Sequence, residues 1–274
     1  MAPAQAGAAL RMKSEKDQDF PWWLVALCAI GAFLYYQVWV SEIYSQVMAT
    51  LATGIYVTVY VTLIGYVMAC LLGLLLAMAG LSRYQLLRQF ARFYVEIVRG
   101  VPIMVLLLYV AFVISPAFVV AWNWLTQPLG FDPMKTRDFP LIWRAIIALT
   151  VAYSAFLAEI FRAGLQAVDK GQIEAAQALG LNGWQRFRHV VFPQAFRTIL
   201  PPLGNDFVAM VKDSSLVSVL GVADITQLGK VTAAGNFRYF ETYNVVALIY
   251  LTMTISLSLL LRRLEARLKA RQER

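Results

Sequence analysis

The sequence predicts an all-α integral membrane protein with six membrane-spanning helices. Of its 274 residues, 60% are hydrophobic and 15% are charged, whereas soluble domains have about 45–50% and about 25%. The apolar residues also fall into long runs with few charges, and a membrane-spanning helix needs about 20 such residues. These runs lack the alternation of a barrel strand, so helices must satisfy the backbone hydrogen bonds in lipid.

Six runs are long enough to span a bilayer, namely residues 21–40, 51–81, 101–124, 141–163, 196–220 and 242–261. The flank after the first run, Val38–Ser41, is too bulky for signal-peptide cleavage, so this run is expected to remain as a helix. The second run is long enough to tilt or to project past the lipid. The fifth run contains Pro201, Pro202 and Gly204, so an interrupted helix is expected there.

Basic residues predict the orientation, because short cytoplasmic connections carry an excess of Lys and Arg. They concentrate in the tail before the first run, between the second and third runs, between the fourth and fifth runs, and in the C-terminal tail. The opposite connections hold Lys135, Arg137, Lys230 and Arg238. Both termini are therefore expected in the cytoplasm. The net charge of +8 could also suggest nucleic-acid binding, but its clustering in a few connections favours a membrane protein.

The chain shows no sequence motif for common cofactor or catalytic chemistry. Cys28 and Cys70 lie in apolar runs, and the single histidine, His189, excludes a bis-histidine haem or a histidine-rich metal site within this chain. No nucleophile elbow is present. The pair Gly229-Lys230 lacks the surrounding residues of a phosphate-binding loop. We therefore expect neither a metal, nor a bound cofactor, nor enzymatic activity of the chain itself.

The connection over residues 166–197, called the coupling loop below, predicts a helix–turn–helix. Residues 172–179 are good helix formers, and Gly180 can supply the left-handed turn that ends a helix. Asn182 can cap a second helix over 183–190, and Pro193 is expected to break the chain before the fifth membrane helix.

Its composition suits contact with another protein. Small side chains lie beside larger apolar ones and one acid near a helix start, the candidates being Glu174, Ala175, Ala176, Leu179, Gly180 and Trp184. On physical grounds alone, a loop lying in the lipid headgroups is an equal alternative.

The spacing of this loop resembles a known signature. Glu174-Ala175-Ala176, Gly180, Val190 and Phe192-Pro193 match the cytoplasmic motif of bacterial binding-protein-dependent permeases. The resemblance implies that the loop is a coupling helix seated on a separate cytoplasmic ATPase, which carries the ATP and magnesium. It also implies a second permease chain, identical or related, and a periplasmic or lipid-anchored amino-acid-binding protein, all at the inner membrane.

Further stretches resemble the polar amino acid branch of that family. They are residues 94–102, Ala152-Tyr153, Glu159-Ile160, residues 162–164, residues 193–197 and residues 212–216. The resemblance covers residues 50–264 and implies a five-helix MetI-like core. Residues 1–45, with the first helix, are then an addition, and residues 265–274 form a basic tail.

Three charged pairs stand out. Glu96 and Arg99, like Glu159 and Arg162, are three residues apart, which favours a local ion pair on a helix. Lys212 and Asp213 are adjacent and cannot face each other on a helix. Because ionisable residues inside a membrane are rare and are functional candidates, this pair is assigned to the substrate pathway.

A substrate site is expected at mid-membrane. Tyr153 lies nine residues before Arg162, and Asp206 lies nine residues past Arg197. At about 1.5 Å per residue, both are about 13–14 Å from the cytoplasmic ends of their helices. Asp206 can accept from an ammonium group, while Asn205, Ser154 and Tyr153 can donate to a carboxylate. Hydrogen bonding between helices without substrate contact is the alternative.

The sequence thus predicts the permease subunit of an ATP-driven importer of polar amino acids. The main alternative is an ion-coupled secondary transporter, which typically has repeated halves and midplane carboxylates. No internal repeat is visible, and Asp206 is the one clear midplane acid. A membrane enzyme is the third possibility, and the lack of catalytic motifs argues against it.

Overall fold

A computed structural model describes residues 22–270, with side chains placed up to Arg267. The chain divides into two compact units, one ending at Gln46 and the other running from Val47. The described residues form helices, turns and short connections, with no strand among them. The predicted all-α membrane fold is confirmed.

The first unit contains helix α1, Trp22–Val40, and the start of α2. Every side chain of α1 is at least partly exposed, and Trp22, Trp23 and Trp39 are among the most exposed aromatic residues. A helix that is apolar on all sides is matched to lipid rather than to water. The predicted first membrane helix is present, while Pro21 and the tail before it lie outside the described residues.

The described chain contains ten further α-helices, and all of them except the start of α2 belong to the second unit. They are α2 Glu42–Gly80, α3 Gln85–Gly100, α4 Ile103–Tyr109, α5 Ser115–Thr126, α6 Leu141–Gln166, α7 Lys170–Ala178, α8 Gly183–Arg186, α9 Phe192–Asp213, α10 Ile225–Asn236 and α11 Tyr239–Ala270. π turns at Val110–Ile114 and Phe187–Val191 join α4 to α5 and α8 to α9. A 3₁₀ segment, Ser214–Leu220, follows α9.

Five stretches of the described chain are long and apolar enough to cross a membrane. They are Trp22–Val40, Glu42–Gly80, Ile103–Leu129, Leu141–Gln166 and Tyr239–Arg267. The remaining predicted span, 196–220, forms the 22-residue helix α9 and the 3₁₀ segment. Arg197, Asp206, Lys212 and Asp213 lower its hydropathy, and the segment is not among these five stretches, so the sixth membrane span stays a prediction.

An interrupted helix was predicted for the fifth span, and the structure instead shows a continuous one. Helix α9 continues through Pro201 and Pro202, although neither proline can donate to the carbonyl four residues earlier, on Arg197 and Thr198. Nor does Pro193 break the chain, because α8, the π turn and α9 follow one another without a gap. Pro193 lies in the first turn of α9, where a missing N–H is tolerated, and the π turn before it adjusts the local winding.

Helix α6 forms the centre of the second unit. Thirteen of its 26 residues are buried, including Arg144, Tyr153 and Ser154, and it packs against α3, α4 and α9. Glycines allow close approach to this core: a β-carbon on Gly73 would lie 3.0 Å from the Ser154 carbonyl oxygen. Small residues are the usual means by which membrane helices pack closely.

A buried arginine connects α6 to the π turn after α4. Arg144 is 6% exposed and donates to the carbonyls of Phe139, Thr136 and Ala111. The Ala111 carbonyl is available because the Ser115 N–H donates to Val110 instead, and the next residue, Pro116, has no N–H. Arg144 therefore supplies donors that the backbone lacks, and backbone carbonyls satisfy its guanidinium.

Helix α10 packs tightly against α2 at Gly54, within the second unit. Asp224 caps it by accepting from the Gln227 N–H at 2.8 Å and from the Tyr250 hydroxyl at 3.1 Å. A β-carbon on Gly54 would lie 2.7 Å from the Ile225 backbone nitrogen. This short helix has few apolar residues in sequence, and the predictions did not include it, nor the amphipathic helix α3.

Candidate functional site

The first helix of the coupling loop begins at a strong N-cap. The Asp169 side chain accepts from the Gly171 N–H at 2.7 Å and from the Gln172 N–H at 3.3 Å. A carboxylate at this position satisfies free N–H groups and complements the helix dipole. The helix therefore starts at Lys170, two residues before the predicted 172, and the cap is readable in sequence as an aspartate before a helix-forming run.

The same helix ends as predicted at Gly180, which has a φ of +76°. Its N–H donates to the Gln177 carbonyl at 2.9 Å, and the Leu181 N–H donates to the Ala176 carbonyl at 3.1 Å. These two bonds form a Schellman motif, which needs a left-handed residue at this position and favours glycine there. No atom lies within 4 Å of a β-carbon on Gly180, so conformation rather than space selects this glycine.

The second helix of the loop is fixed by a reciprocal capping box. The Asn182 side chain accepts from the Gln185 N–H at 2.9 Å, and the Gln185 side chain accepts from the Asn182 N–H at 3.0 Å. The prediction that Asn182 caps this helix is confirmed. The helix covers Gly183–Arg186 and passes into the π turn, so only its first turn is regular α-helix.

An aromatic ridge, which the sequence analysis missed beyond Trp184, follows from this π turn. Ring centroids are 6.0 Å apart for Trp184 and Phe187, 6.0 Å for Phe187 and Phe192, and 5.7 Å for Phe192 and Phe196. The five-residue step from Phe187 to Phe192 would separate the rings on a regular α-helix. The wider π turn brings them onto one side, and all four side chains are exposed.

Most predicted contact residues of the coupling loop face outward. Leu179 is 80% exposed and Trp184 is 66% exposed, and Glu174, Ala175 and Gly180 are exposed as well. Ala176 differs, because it is buried within the chain on the inner face of α7. Its methyl group therefore packs against this chain and is not part of the outward surface.

A polar cluster lies between α6 and α9. The Tyr153 hydroxyl donates to Asp213 Oδ2 at 2.8 Å, and Asp206, half-buried, lies two turns earlier on the same helix as Asp213. The Tyr66 hydroxyl from α2 donates to the Leu203 carbonyl of α9 at 2.7 Å. Three helices thus bring two carboxylates and two phenols together.

The register between α6 and α9 explains why Tyr153 reaches Asp213 rather than Asp206. Gly164 packs directly against Ile199, and with the Tyr153–Asp213 bond this contact makes the helices antiparallel. Side chains lean toward the N-terminus of their own helix. On α6 that direction leads toward the C-terminal end of α9. The long Tyr153 side chain therefore lies level with Asp213, although counting nine residues from each helix end places Tyr153 level with Asp206.

The other predicted pathway residues differ in access. Ser154 is fully buried, and its hydroxyl is engaged with the Val151 carbonyl and with Tyr94 of α3, both at 2.8 Å. Ser154 therefore joins helices and does not line an open path, which differs from the predicted donor role, because residues adjacent on a helix point to different sides. Asn205 and Lys212 are exposed, and Asp213 is half-buried. Lys212 and Asp213 make no ion pair with each other, as predicted.

The two predicted local ion pairs have different outcomes. Arg162 pairs with Glu159, which confirms that prediction. Glu96 and Arg99 form no ion pair in the described chain, because Arg99 lies instead over the Phe156 ring at 5.7 Å. Among residues 22–270, no group of three or more His, Cys, Asp or Glu side chains is arranged to hold a metal ion.

Comparison with known protein families shows to which family the chain belongs. Residues 69–271, which include the coupling loop and the polar cluster, match the family described as the inner membrane component of binding-protein-dependent transport systems. The chain belongs to this family. The predicted resemblance is confirmed, and the family consists of permease components rather than enzymes.

Relatives within the family are named as amino acid permeases. The glutamine transport system permease protein GlnP of Escherichia coli (strain K12) is 35% identical over 219 residues, 80% of this chain and 93% of the relative. The L-cystine transport system permease protein TcyL of Bacillus subtilis (strain 168) is 34% identical over 82% of this chain and 90% of its own. These names agree with the branch that the motifs predicted.

Solved structures agree with the fold. A crystal structure of an amino acid ABC transporter with histidines shares 35% identity and a TM-score of 0.67, covering 80% of this chain and 94% of its own. The inward-facing MetNI methionine ABC transporter shares 21% identity and a TM-score of 0.59, with 80% and 96% coverage. The second likeness supports the MetI-like fold alone.

Proposed function

We propose that this chain is the permease subunit of an importer that moves polar amino acids across the inner membrane, driven by ATP hydrolysis on separate subunits. The observation that carries the proposal is the exposed coupling loop within a chain of the binding-protein-dependent transport family. An ion-coupled transporter has no use for such a loop, and the family membership argues against that alternative.

The coupling loop is the proposed contact with the ATPase. Glu174, Ala175 and Gly180 give a polar and low-profile surface, and Leu179 with Trp184 gives apolar area at its edge. The aromatic ridge extends this surface toward α9. Because α8, the π turn and α9 are continuous, movement of the docked loop is transmitted directly to the helix that carries Asp206. ATP and magnesium bind the partner ATPase, and this chain binds neither.

The polar cluster is the proposed substrate contact. Asp206 has no ion-pair or hydrogen-bond partner in the described chain, so its carboxylate is available to accept from an ammonium group. Asn205 is exposed beside it, and the Tyr153–Asp213 pair joins α6 to the same helix, α9. The relatives named for glutamine, cystine and arginine support an α-amino acid as the substrate class.

Both termini are proposed to be cytoplasmic, with the coupling loop on the same side. A single cysteine introduced at Asp132, in the connection before α6, should react with an impermeant reagent added to the outside of cells. One introduced at Gly183 should react only after permeabilisation. The reverse pattern would contradict the topology, and Cys28 and Cys70 are replaced by serine beforehand as the control background.

Transport tests the function as a whole. The chain is purified with its copurifying ATPase and a second permease chain, identical or related, and is reconstituted in proteoliposomes with the cognate binding protein. ATP-dependent uptake of one or more polar amino acids is expected from a labelled panel. The chain purified alone should show no saturable ATP binding. Uptake that follows an ion gradient without ATP would overturn the proposal.

A further inference from the structure

A second polar site lies away from the cluster around Asp206. A cavity of about 480 Å³ lies between the C-terminal half of α2, helix α3 and the C-terminal part of α6. This volume is within the range of about 300–1,000 Å³ typical of small-molecule sites. In the proposed topology the cavity is at the cytoplasmic ends of these helices.

The floor of the cavity is apolar and buried. Its residues come from all three helices and are Leu76, Ala77, Ala91, Val95 and Ala158. Their small or aliphatic side chains leave space instead of filling it. The space is an open cleft whose rim residues Arg92, Glu96 and Arg99 are exposed, so a ligand can reach its floor.

The rim of the cavity is charged and arranged in two facing stripes. Helix α3 contributes Arg92, Glu96 and Arg99, which are spaced four and three residues apart and so lie on one face. Helix α6 contributes Glu159, Arg162 and Gln166, spaced three and four apart. Each stripe therefore presents both signs of charge to the same space.

These charges are not neutralised across the cavity. In the described chain the one ion pair among them, Arg162 with Glu159, is within α6. Arg92 and Glu96 have no hydrogen-bond or ion-pair partner there, and the Arg162 Nε is buried without an acceptor. A buried N–H without a partner costs free energy and calls for an explanation such as an unfilled site.

We propose that this cavity binds a small zwitterion, with its acidic group on Arg99 and Arg162 and its ammonium group on Glu96. Three guanidiniums and two carboxylates leave a net positive rim, which suits a carboxylate first and an ammonium second. A rim with two carboxylates disfavours a simple anion such as phosphate. Taking the free amino acid as the source of the zwitterion rests on the proposed function, while an ethanolamine lipid headgroup has the same chemistry.

Binding of L-glutamine tests the site directly. The transporter complex is placed in nanodiscs of phosphatidylglycerol, with Asp206→Asn as the background so that the mid-membrane site is removed. Labelled L-glutamine is expected to bind saturably. Glu96→Gln and Arg99→Gln should each weaken this binding about tenfold, the loss expected for one charge-assisted hydrogen bond. Arg83→Gln removes a charge just before α3, outside the cavity, and should leave binding unchanged.

Competing ligands that differ by one charged group show which charges of the ligand the cavity recognises. Glycine carries both groups and should displace the label, whereas N-acetylglycine, which lacks the ammonium group, and glycinamide, which lacks the carboxylate, should not. Competition by N-acetylglycine equal to that by glycine would overturn the role of Glu96. Binding that is unchanged in both Glu96→Gln and Arg99→Gln would overturn the site.

Two further measurements distinguish a lipid headgroup from a free amino acid as the occupant, and failure of this inference from failure of the proposed function. If native mass spectrometry finds phosphatidylethanolamine retained by wild type and lost from Glu96→Gln, the occupant is a lipid, and the free amino acid is overturned. Transport is measured in parallel on the complex that keeps Asp206, because Asp206→Asn is itself expected to weaken transport. If amino acid transport is normal but no cavity binding is found, this inference fails alone. If cavity binding persists while no amino acid is transported, the proposed function fails alone.

Discussion

The coupling loop and the polar cluster are built in opposite ways. In the loop, each turn is held by groups a few residues apart, such as Asp169 with Gly171 and Asn182 with Gln185. In the cluster, the deciding contacts join residues far apart in sequence, such as Tyr153 with Asp213 and Tyr66 with Leu203. Local capping gives an exposed surface its shape without a core, whereas a polar group within the membrane needs partners supplied by other helices.

This difference predicts that substitutions in the membrane unit change substrate binding or the fold itself, while those in the loop change coupling and leave the fold intact. The following variants are ordered from the largest expected effect to the smallest.

Asp206→Asn should give the largest change, a loss of about 1.5–3 kcal/mol in substrate binding, because a charged acceptor for an ammonium group becomes neutral. The affinity for the transported amino acid, measured by uptake at varied concentration, should fall by about ten- to hundredfold. Asp132→Asn, an exposed acid in the connection before α6, is the matched control. Wild-type affinity and selectivity in Asp206→Asn would remove this residue from the substrate site.

Gly54→Ala should destabilise the second unit by about 1–3 kcal/mol, the usual cost of overpacking. The new methyl group would lie 2.7 Å from the Ile225 nitrogen and 2.8 Å from the Asp224 carbonyl carbon, and backbone atoms cannot rotate away. Thermal unfolding in detergent measures the effect. Gly31→Ala in α1 meets no atom within 4 Å and should not lower stability, and equal losses in both variants would refute the steric explanation.

Gly180→Val should impair coupling with little change in folding. A left-handed backbone costs a residue with a β-carbon about 1–2 kcal/mol, and a β-branched residue is the least suited to it. We expect normal membrane insertion with lost ATPase assembly or lost substrate-stimulated hydrolysis. Gly183→Ala lies three residues away, at a glycine without a positive φ, and should behave as wild type. Full transport by Gly180→Val would argue against docking through this turn.

Asn182→Ala should have the smallest effect, about 0.5–1 kcal/mol, because one N-cap hydrogen bond is lost from an exposed helix. The expected result is a modest decrease in ATPase affinity with an unchanged melting temperature of the permease. Asn182→Asp retains an acceptor for the Gln185 N–H and should restore affinity. Complete loss of assembly in Asn182→Ala would mean that the loop depends on more than its local caps.

Sequence by itself determined the features that rest on composition and on near neighbours. Long apolar runs located the spans because lipid demands about 20 apolar residues in a helix. The left-handed Gly180 and the Asn182 cap were predictable because turn chemistry depends on a few adjacent groups. The match at Glu174-Ala175-Ala176 and Gly180 likewise located the coupling loop.

Tertiary structure alone decided what depends on register and winding. Tyr153 pairs with Asp213 because α6 and α9 are antiparallel and side chains lean along their own helix, which a count of residues from the membrane edge cannot include. Arg144 is buried where the π turn and Pro116 leave the Ala111 carbonyl free. The aromatic ridge forms because another π turn brings Phe187 and Phe192 together, and the wider winding of a π turn is not encoded in hydrophobic periodicity.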